Sequence, residues 1–440
     1  MPQMFYKTQT GQVVPLGIAG PPGPGGPQGS QGVQGPKGDN GAVHVQAEPP
    51  ANPQASPVGG AYLWVDTDDD PANHTVASSV FDFGAVGDGV TDDTVAIQTA
   101  LDSLPAGGTL IVPQGHTFAH SDVLTLWASR VTVKGGGTLF ATNEERSAFL
   151  IRGSDVTVEN LTFKMGVTTK RWTEYPQMKL RVRAVNTTIR NVVVDGSACA
   201  GIHIDGSSYF LIENVVVKDT RADAIHITYG SHHGRVIQSR SLRAGDDGVA
   251  IVSYEGDGGS ICHDIEVIGA RQVGQLWGRG FTVVGGQNIT FRDIESHFSA
   301  GAAIYIACEP SYSTLGVENV LIDGAILSNS NRQADTTPSW RPSPEKERIV
   351  HGAVVIFNGR SAEYAVRNVT IRNVTITDTT PDAYDQVGLK YGLQENIELR
   401  NFSIRGGSSY PWTTIDVPDT NIRRIGWWQD GFPLPDIEGW

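Results

Sequence analysis

The chain has 440 residues, 39% apolar and 18% charged, with 47 acidic against 33 basic side chains and a formal charge of −14. That composition excludes a disordered chain, and the acidic excess argues against nucleic acid, whose phosphates demand a basic face. No apolar run approaches the ~20 residues of a bilayer span, and positions 1–16 show no apolar core of a secretory signal. Three cysteines (Cys199, Cys262 and Cys308) are too few for a disulfide framework, and no CxxC or Cys/His spacing suggests structural zinc.

In residues 17–41 glycine recurs at every third position, from Gly17 to Gly41, in eight unbroken triplets. Three polyproline-like chains wind together only where every third residue lacks a side chain. The stretch therefore predicts a collagen-like triple helix, a rod of roughly 70 Å at ~3 Å per residue, and with it a homotrimer. An unstructured Pro/Gly linker is the alternative. So short a triple helix implies a second trimer contact elsewhere in the chain. Residues 1–16 then project from the rod as an attachment peptide. Residues 42–78 read as a linker with one short apolar patch, Ala61 to Asp70.

From Ser79 the composition changes. Thr91 or Asp92 can cap a helix with Asp93 in its first turn, and TVAIQTALDSL (94–104) carries apolar residues at helical spacing. A strand, TLIVP (109–113), follows. Beyond it the chain repeats. One strand series reads IHI (202), IHI (225), VAI (249), FTV (281), IYI (304) and VVI (354). A second starts on Asn or Asp at 191, 214, 264, 288, 319, 368 and 396. Alternation sends the outer residues of each triplet inward. Ile202, Ile225, Val249, Phe281 and Ile304 form one internal ladder, and Ile204, Ile227, Ile251, Val283 and Ile306 another. The repeat predicts an all-β, three-sheet parallel β-helix over 79–430, with 431–440 as a tail. In the first series the offset of 32 leaves room for one loop insertion, and the offset of 50 reads as two coils plus a long loop around 328–348.

Adjacent coils lie about 4.8 Å apart, so equivalent positions form columns. The position two before each inward residue reads Ala200, Asp223, Asp247, Arg279, Ala302 and Gly352, with Asp246 beside Asp247. The outward middle position reads His203, His226, Ala250, Thr282, Tyr305 and Val355. One edge of one sheet thus gathers Asp223, Asp246 and Asp247, flanked by His203, His226, Arg279 and Tyr305, with Glu309 just beyond. Stacked carboxylates raise the pKa of at least one of them, and a protonated acid beside an ionised one is what glycoside hydrolysis needs. The same acids also read as turn residues or a calcium site between coils. His203 and His226 read as sugar contacts or solvated surface, and Tyr305 as a stacking platform or sheet cover. A zinc site from both histidines and Asp223 is disfavoured. His232 and His233, in a GSHHG turn, read as plain surface, and the cysteines as buried fillers.

Two stretches resemble known families. DFGAVGDGVTDDTVAIQTAL (82–101) is similar to the N-terminal cap of the pectate-lyase-like superfamily of right-handed parallel β-helices, common in phage tail spikes. RADAIHI (221–227), GDDGVAI (245–251) and GRGFTVV (278–284) resemble, in order and spacing, three motifs of the polygalacturonase family of inverting glycoside hydrolases. The second resemblance covers roughly residues 190–310. Carried over by position, it implies Asp246 as general acid, Asp223 and Asp247 as activators of the attacking water, and no cofactor. Arg279 stands in place of the family's histidine, and Ala303-Ile304-Tyr305 in place of its Arg-Ile-Lys clamp, so galacturonate is not implied as substrate. Arg279 can still hold a carboxylate or a sugar oxygen.

A collagen-like stalk ahead of a β-helix looks like a bacteriophage tail spike or minor tail protein. The resemblance implies a homotrimer on the virion, its N-terminus on tail-tip or baseplate proteins and its β-helix facing a host cell-surface glycan. Two functions follow, a polysaccharide depolymerase and a non-catalytic receptor-binding or structural protein. Calcium-assisted lyase chemistry is a third.

Overall fold

The computed structural model describes residues 77–332, 351–360, 364–379, 383, 385–408 and 410–439, together with the backbone of four short strands before residue 66. The expected triple helix at 17–41 lies outside the described residues. The chain forms two units, residues 1–74 and 75–440. In the first, Met4–Lys7 pairs antiparallel with Val13–Pro15 and with Tyr62–Val65, and Val43–Val45 lies parallel to Tyr62–Val65. The Tyr62–Val65 strand falls within the apolar patch read from the sequence.

The second unit is a right-handed parallel β-helix with three walls per coil. Its third wall is an eleven-stranded parallel sheet built one strand per coil, in chain order from Leu124–Leu126 to Trp412–Ile415. Here the predicted ladders are in register: Ile202 lies on Ile225, then Val249, Phe281 and Ile304. All of these side chains, and those of the second ladder, are buried. Branched and aromatic residues suit this geometry because every inward position stacks on its own kind one coil away.

The helix Thr94–Asp102 buries Ile97, Ala100 and Leu101 against the first coils. Asp93, not Thr91 or Asp92, is its N-cap residue, while Asp92 accepts the Thr94 N–H at 3.0 Å. The Asp93 side chain turns away and accepts the N–H groups of Val86 and Gly87 at 2.6 and 3.0 Å. At the other end, residues expected as a tail fold back. Phe432–Pro433 and Ile437–Glu438 pair antiparallel with the last wall strands, and Trp427 stacks on Phe402 at 4.3 Å. Antiparallel closure blunts the terminal edge of the sheet.

Two sequence readings are corrected. The offset of 50 is a single coil with a long insertion, because Ile304 pairs directly with Val354 and Val317 with Val366. The Asn/Asp series splits between two corners. Asn191 and Asn214 start the second wall, whereas Asp264, Asn288, Asn319, Asn368 and Asn396 start the first. Both corners turn through left-handed backbone, which Asn and Asp tolerate best among residues with side chains. The amides bond from coil to coil along each corner, Asn214 to Asn191 at 2.7 Å and Asn319 to Asn288 at 3.0 Å. One signature thus marks two places, since each needs the same φ.

Candidate active site

Each acid precedes a strand of the third wall and bends over its outer face. Asp223 leads into Ile225–Thr228, and Asp246 and Asp247 into Val249–Val252. One carboxylate oxygen from each of the three lies within 4.8 Å of the others. Asp223 Oδ2 is 2.6 Å from His226 Nδ1, and its Oδ1 accepts the Asp247 N–H at 2.8 Å. Asp247 Oδ1 accepts the Arg279 N–H at 2.7 Å, and its Oδ2 accepts the Thr282 hydroxyl at 2.9 Å. Asp246 Oδ2 takes a salt bridge from Arg171 Nη1 at 2.6 Å. Asp246 is the most exposed of the three, at 17% of its side chain.

Two environments push the acids apart. Burial raises the Asp223 carboxyl, yet the hydrogen bond and charge of His226, with the charge of Arg171 behind them, outweigh it and leave the group below its ordinary value. Burial first and the charge of Asp246 second push the Asp247 carboxyl well above the ordinary range. Three carboxylates this close cannot all ionise cheaply, so a proton is retained among them.

Gly278 makes the gathering possible. It sits at φ +74°, and a Cβ there would come within 2.3 Å of Asp246 Oδ1 and 2.6 Å of Asp247 Oδ1. The glycine of GRGFTVV therefore lets the next coil pass over both acids, a close approach only glycine permits.

The flanking residues are brought to the same face, but more deeply than expected. His203 stacks on His226 at 5.2 Å, with Tyr175 edge-on above it, and is 4% exposed. Burial, then the charges of His226 and Arg181, hold its imidazole well below its ordinary value. Tyr305, read as a stacking platform or a sheet cover, has Arg279 over its ring at 4.3 Å and His351 stacked at 5.5 Å. Its hydroxyl donates to Glu309 at 2.9 Å, and Arg279 reaches the same oxygen at 3.3 Å. Tyr305 thus fills the sheet face and leaves no ring surface to a sugar. Of these, Arg279 touches an acid through its backbone N–H, His203 acts through His226 and Tyr305 through Arg279, and His226 is the histidine that touches one.

The segment between Met165 and Lys179 supplies what the repeat did not announce. Arg171 closes on Asp246, Tyr175 packs on Arg181 at 3.6 Å, and Thr168 holds Arg221 through its hydroxyl and carbonyl. A cavity of about 340 Å³ opens beside this segment, lined by Thr168, Asp195, Asp219, Arg221 and Leu276 among others. Arg171 belongs to an aperiodic insertion, so no column could locate it. Thr282 stood in the outward column and was legible there as a partner for the acid two positions before the strand below.

The donor set also suits a hard cation. Asp223, Asp246 and Asp247 offer oxygen ligands of the kind calcium takes, and only these acids among the described residues cluster so. The three cysteines are buried thiols.

No curated protein matches the chain. Solved structures share its fold at low identity. The catalytic domain of a GH87 α-1,3-glucanase in complex with tetrasaccharides matches at TM-score 0.58 and 18% identity, covering 83% of this chain and 67% of its own. The A-module of the Azotobacter vinelandii mannuronan C-5 epimerase AlgE4 matches at TM-score 0.54 and 14% identity, covering 77% and 99%. Geobacillus virus E2 ORF18 matches at TM-score 0.51 and 15% identity, covering 82% and 63%. At such identities the likeness is one of fold. Residues 77–325 match the family described as rhamnogalacturonase A/epimerase, pectate lyase-like, and with more than half its length so matched the chain belongs to that family.

Proposed function

We propose that this protein is a polysaccharide hydrolase that acts on a host cell-surface glycan as a trimeric phage tail spike. The observation that carries the enzymatic reading is the convergence of Asp223, Asp246 and Asp247 on one rim of the third wall, with their environments pulling the pKa values in opposite directions. Unequal carboxyls of this kind supply an acid and a base in one place.

Asp246 is the most exposed acid and serves as proton donor to the leaving oxygen. Substrate entry displaces Arg171 from it. Asp223, held ionised by His226, deprotonates the attacking water, and Asp247, whose raised carboxyl keeps its proton, orients that water. Arg279 holds Asp247 through its N–H and projects its guanidinium over Tyr305. Membership of a family that includes hydrolases, and a fold shared with a glucanase domain, support a carbohydrate substrate. The viral neighbour and the glycine-phased triplets at 17–41 support the virion setting and the trimer. The N-terminus then binds tail-tip or baseplate proteins.

The test is Asp246→Asn against purified host polysaccharide. Reducing-end release should fall at least about 100-fold, the usual contribution of a positioned acid, while cosedimentation with the glycan persists. Unchanged release overturns the assignment. Sedimentation equilibrium of the full chain should give three times the monomer mass; a monomer removes the tail-spike architecture.

One observation favours a second reading. Arg171 pairs with Asp246, and Asp247 is sealed by Arg279 and Thr282. A site so satisfied suits a non-catalytic glycan receptor, and glycan binding without release by the wild type would establish it.

A further inference from the structure

A second cluster lies on the first wall, away from the acids. His232 and His263 occupy equivalent positions on adjacent coils, their rings stacked at 4.7 Å and within 3° of parallel. His233 follows His232 and sits at the corner, with left-handed backbone at φ 53°. That corner elsewhere carries the amide ladder, with Asn186 below and Asp264, Asn288 and Asn319 above. At two successive coils the ladder gives way to aromatic rings, Tyr209 and His233, stacked at 5.0 Å. The substitution brings a third imidazole to the pair. His232 Nδ1 and His233 Nδ1 face each other at 2.7 Å, and one ring nitrogen from each of the three histidines lies within 4.8 Å of the others.

We propose that His232, His233 and His263 form a binding site for a divalent transition-metal ion of the zinc class, a site that bridges two coils. Three features carry it. Imidazole nitrogens are the preferred ligands of such ions, at ~2.0–2.1 Å. Two ring nitrogens aimed at each other meet either by sharing a proton or by sharing a cation. The third histidine is oriented from behind, because His263 Nδ1 lies 2.7 Å from Asp264 Oδ2, and Asp264 Oδ1 accepts from Asn288 at 3.0 Å. A carboxylate behind a ligating histidine fixes its tautomer and raises its basicity. Metal entry spreads the two Nδ1 atoms to roughly 3.3 Å, which tetrahedral zinc requires, and tilts His263 out of the stack. His233 and His263 are 44% and 32% exposed at the side chain, so these are side-chain rotations at a reachable surface. The fourth position is left to water. The site needs neither the acids nor any hydrolytic activity.

The experiment is calorimetric titration of chelator-stripped full-length protein with ZnCl₂. The wild type, His232→Ala/His263→Ala and Asp246→Asn are compared. One ion per chain should bind the wild type and Asp246→Asn alike, with at least a 100-fold weaker affinity in the double variant. Zinc should raise the Tm of the wild type and leave that of the double variant unmoved. Should the double variant lose its β circular-dichroism spectrum, His263→Gln replaces it, with at least a tenfold loss expected. Equal binding by wild type and histidine variants, loss confined to Asp246→Asn, or no uptake by the wild type overturns the site.

Discussion

The Asp223 carboxylate accepts the backbone N–H of Asp247 at 2.8 Å, across one full coil. A side chain from one turn of the helix thereby anchors the peptide that presents the acid of the next. The bond ties the chemistry of the rim to the register of the wall.

Asp223→Ala should therefore cost stability as well as activity. It leaves the Asp247 N–H and His226 without their acceptor, at about 1–3 kcal/mol for a buried donor. The Asp223 carboxyl titrates below its ordinary value in the folded protein, so its stabilisation is full above the unfolded value of about 3.9 and disappears as pH falls through the lower folded one. The Tm gap between wild type and variant, followed by calorimetry from pH 7 to pH 3, should narrow only below about pH 4.

Asp247→Asn should behave in the opposite sense. Burial and the charge of Asp246 raise this carboxyl, so between its ordinary and its folded value the native state binds the extra proton and stability falls as pH rises. An asparagine keeps the contacts to Arg279 and Thr282 without the charge. The variant should melt about 3 °C higher at pH 7, with the advantage gone at pH 4, while glycan hydrolysis is lost.

Gly278→Ala separates geometry from charge. Its Cβ would press on both acids, and its φ of +74° costs an alanine about 1–2 kcal/mol. Reducing-end release should drop at least tenfold with the circular-dichroism spectrum unchanged. A fully active variant would show that the acids need not converge.

Asn319→Ala tests the corner away from any chemistry. Asn319 donates to Asn288 at 3.0 Å and accepts from Asn368 at 3.1 Å, at φ 56°. Loss of both bonds and of the left-handed preference should cost about 1–2 kcal/mol in denaturant unfolding. Asn319→Gly should recover the backbone share alone, and neither variant should change glycan turnover.

The inward ladders of the third wall were legible because each coil repeats the same requirement, two apolar residues flanking one outward residue. Ile202, Ile225, Val249, Phe281 and Ile304 fell into register from spacing alone. The corner series misled for an equally physical reason. Asn214 and Asn288 share a backbone conformation and do not share a wall, and a sequence records the conformation. The offset of 50 misled because an insertion and an extra coil have the same length, and only the pairing of Ile304 with Val354 separates them. Asp223, Asp246 and Asp247 were found through their columns. The burial of His203 and Tyr305 was hidden, because outward on a strand means exposed only where nothing lies on top.

By itself the sequence determined the solenoid and the gathering of three acids on one edge, since both follow from a local period repeated along the chain. Tertiary structure alone decided which acid is paired and which is sealed. Arg171 reaches Asp246 from a segment 75 residues earlier, and Thr282 reaches Asp247 from the coil above. It likewise decided that three histidines from two coils meet at a corner. Proton affinity and metal affinity depend on charges and dipoles within a few ångströms, and those distances exist only once the coils are stacked.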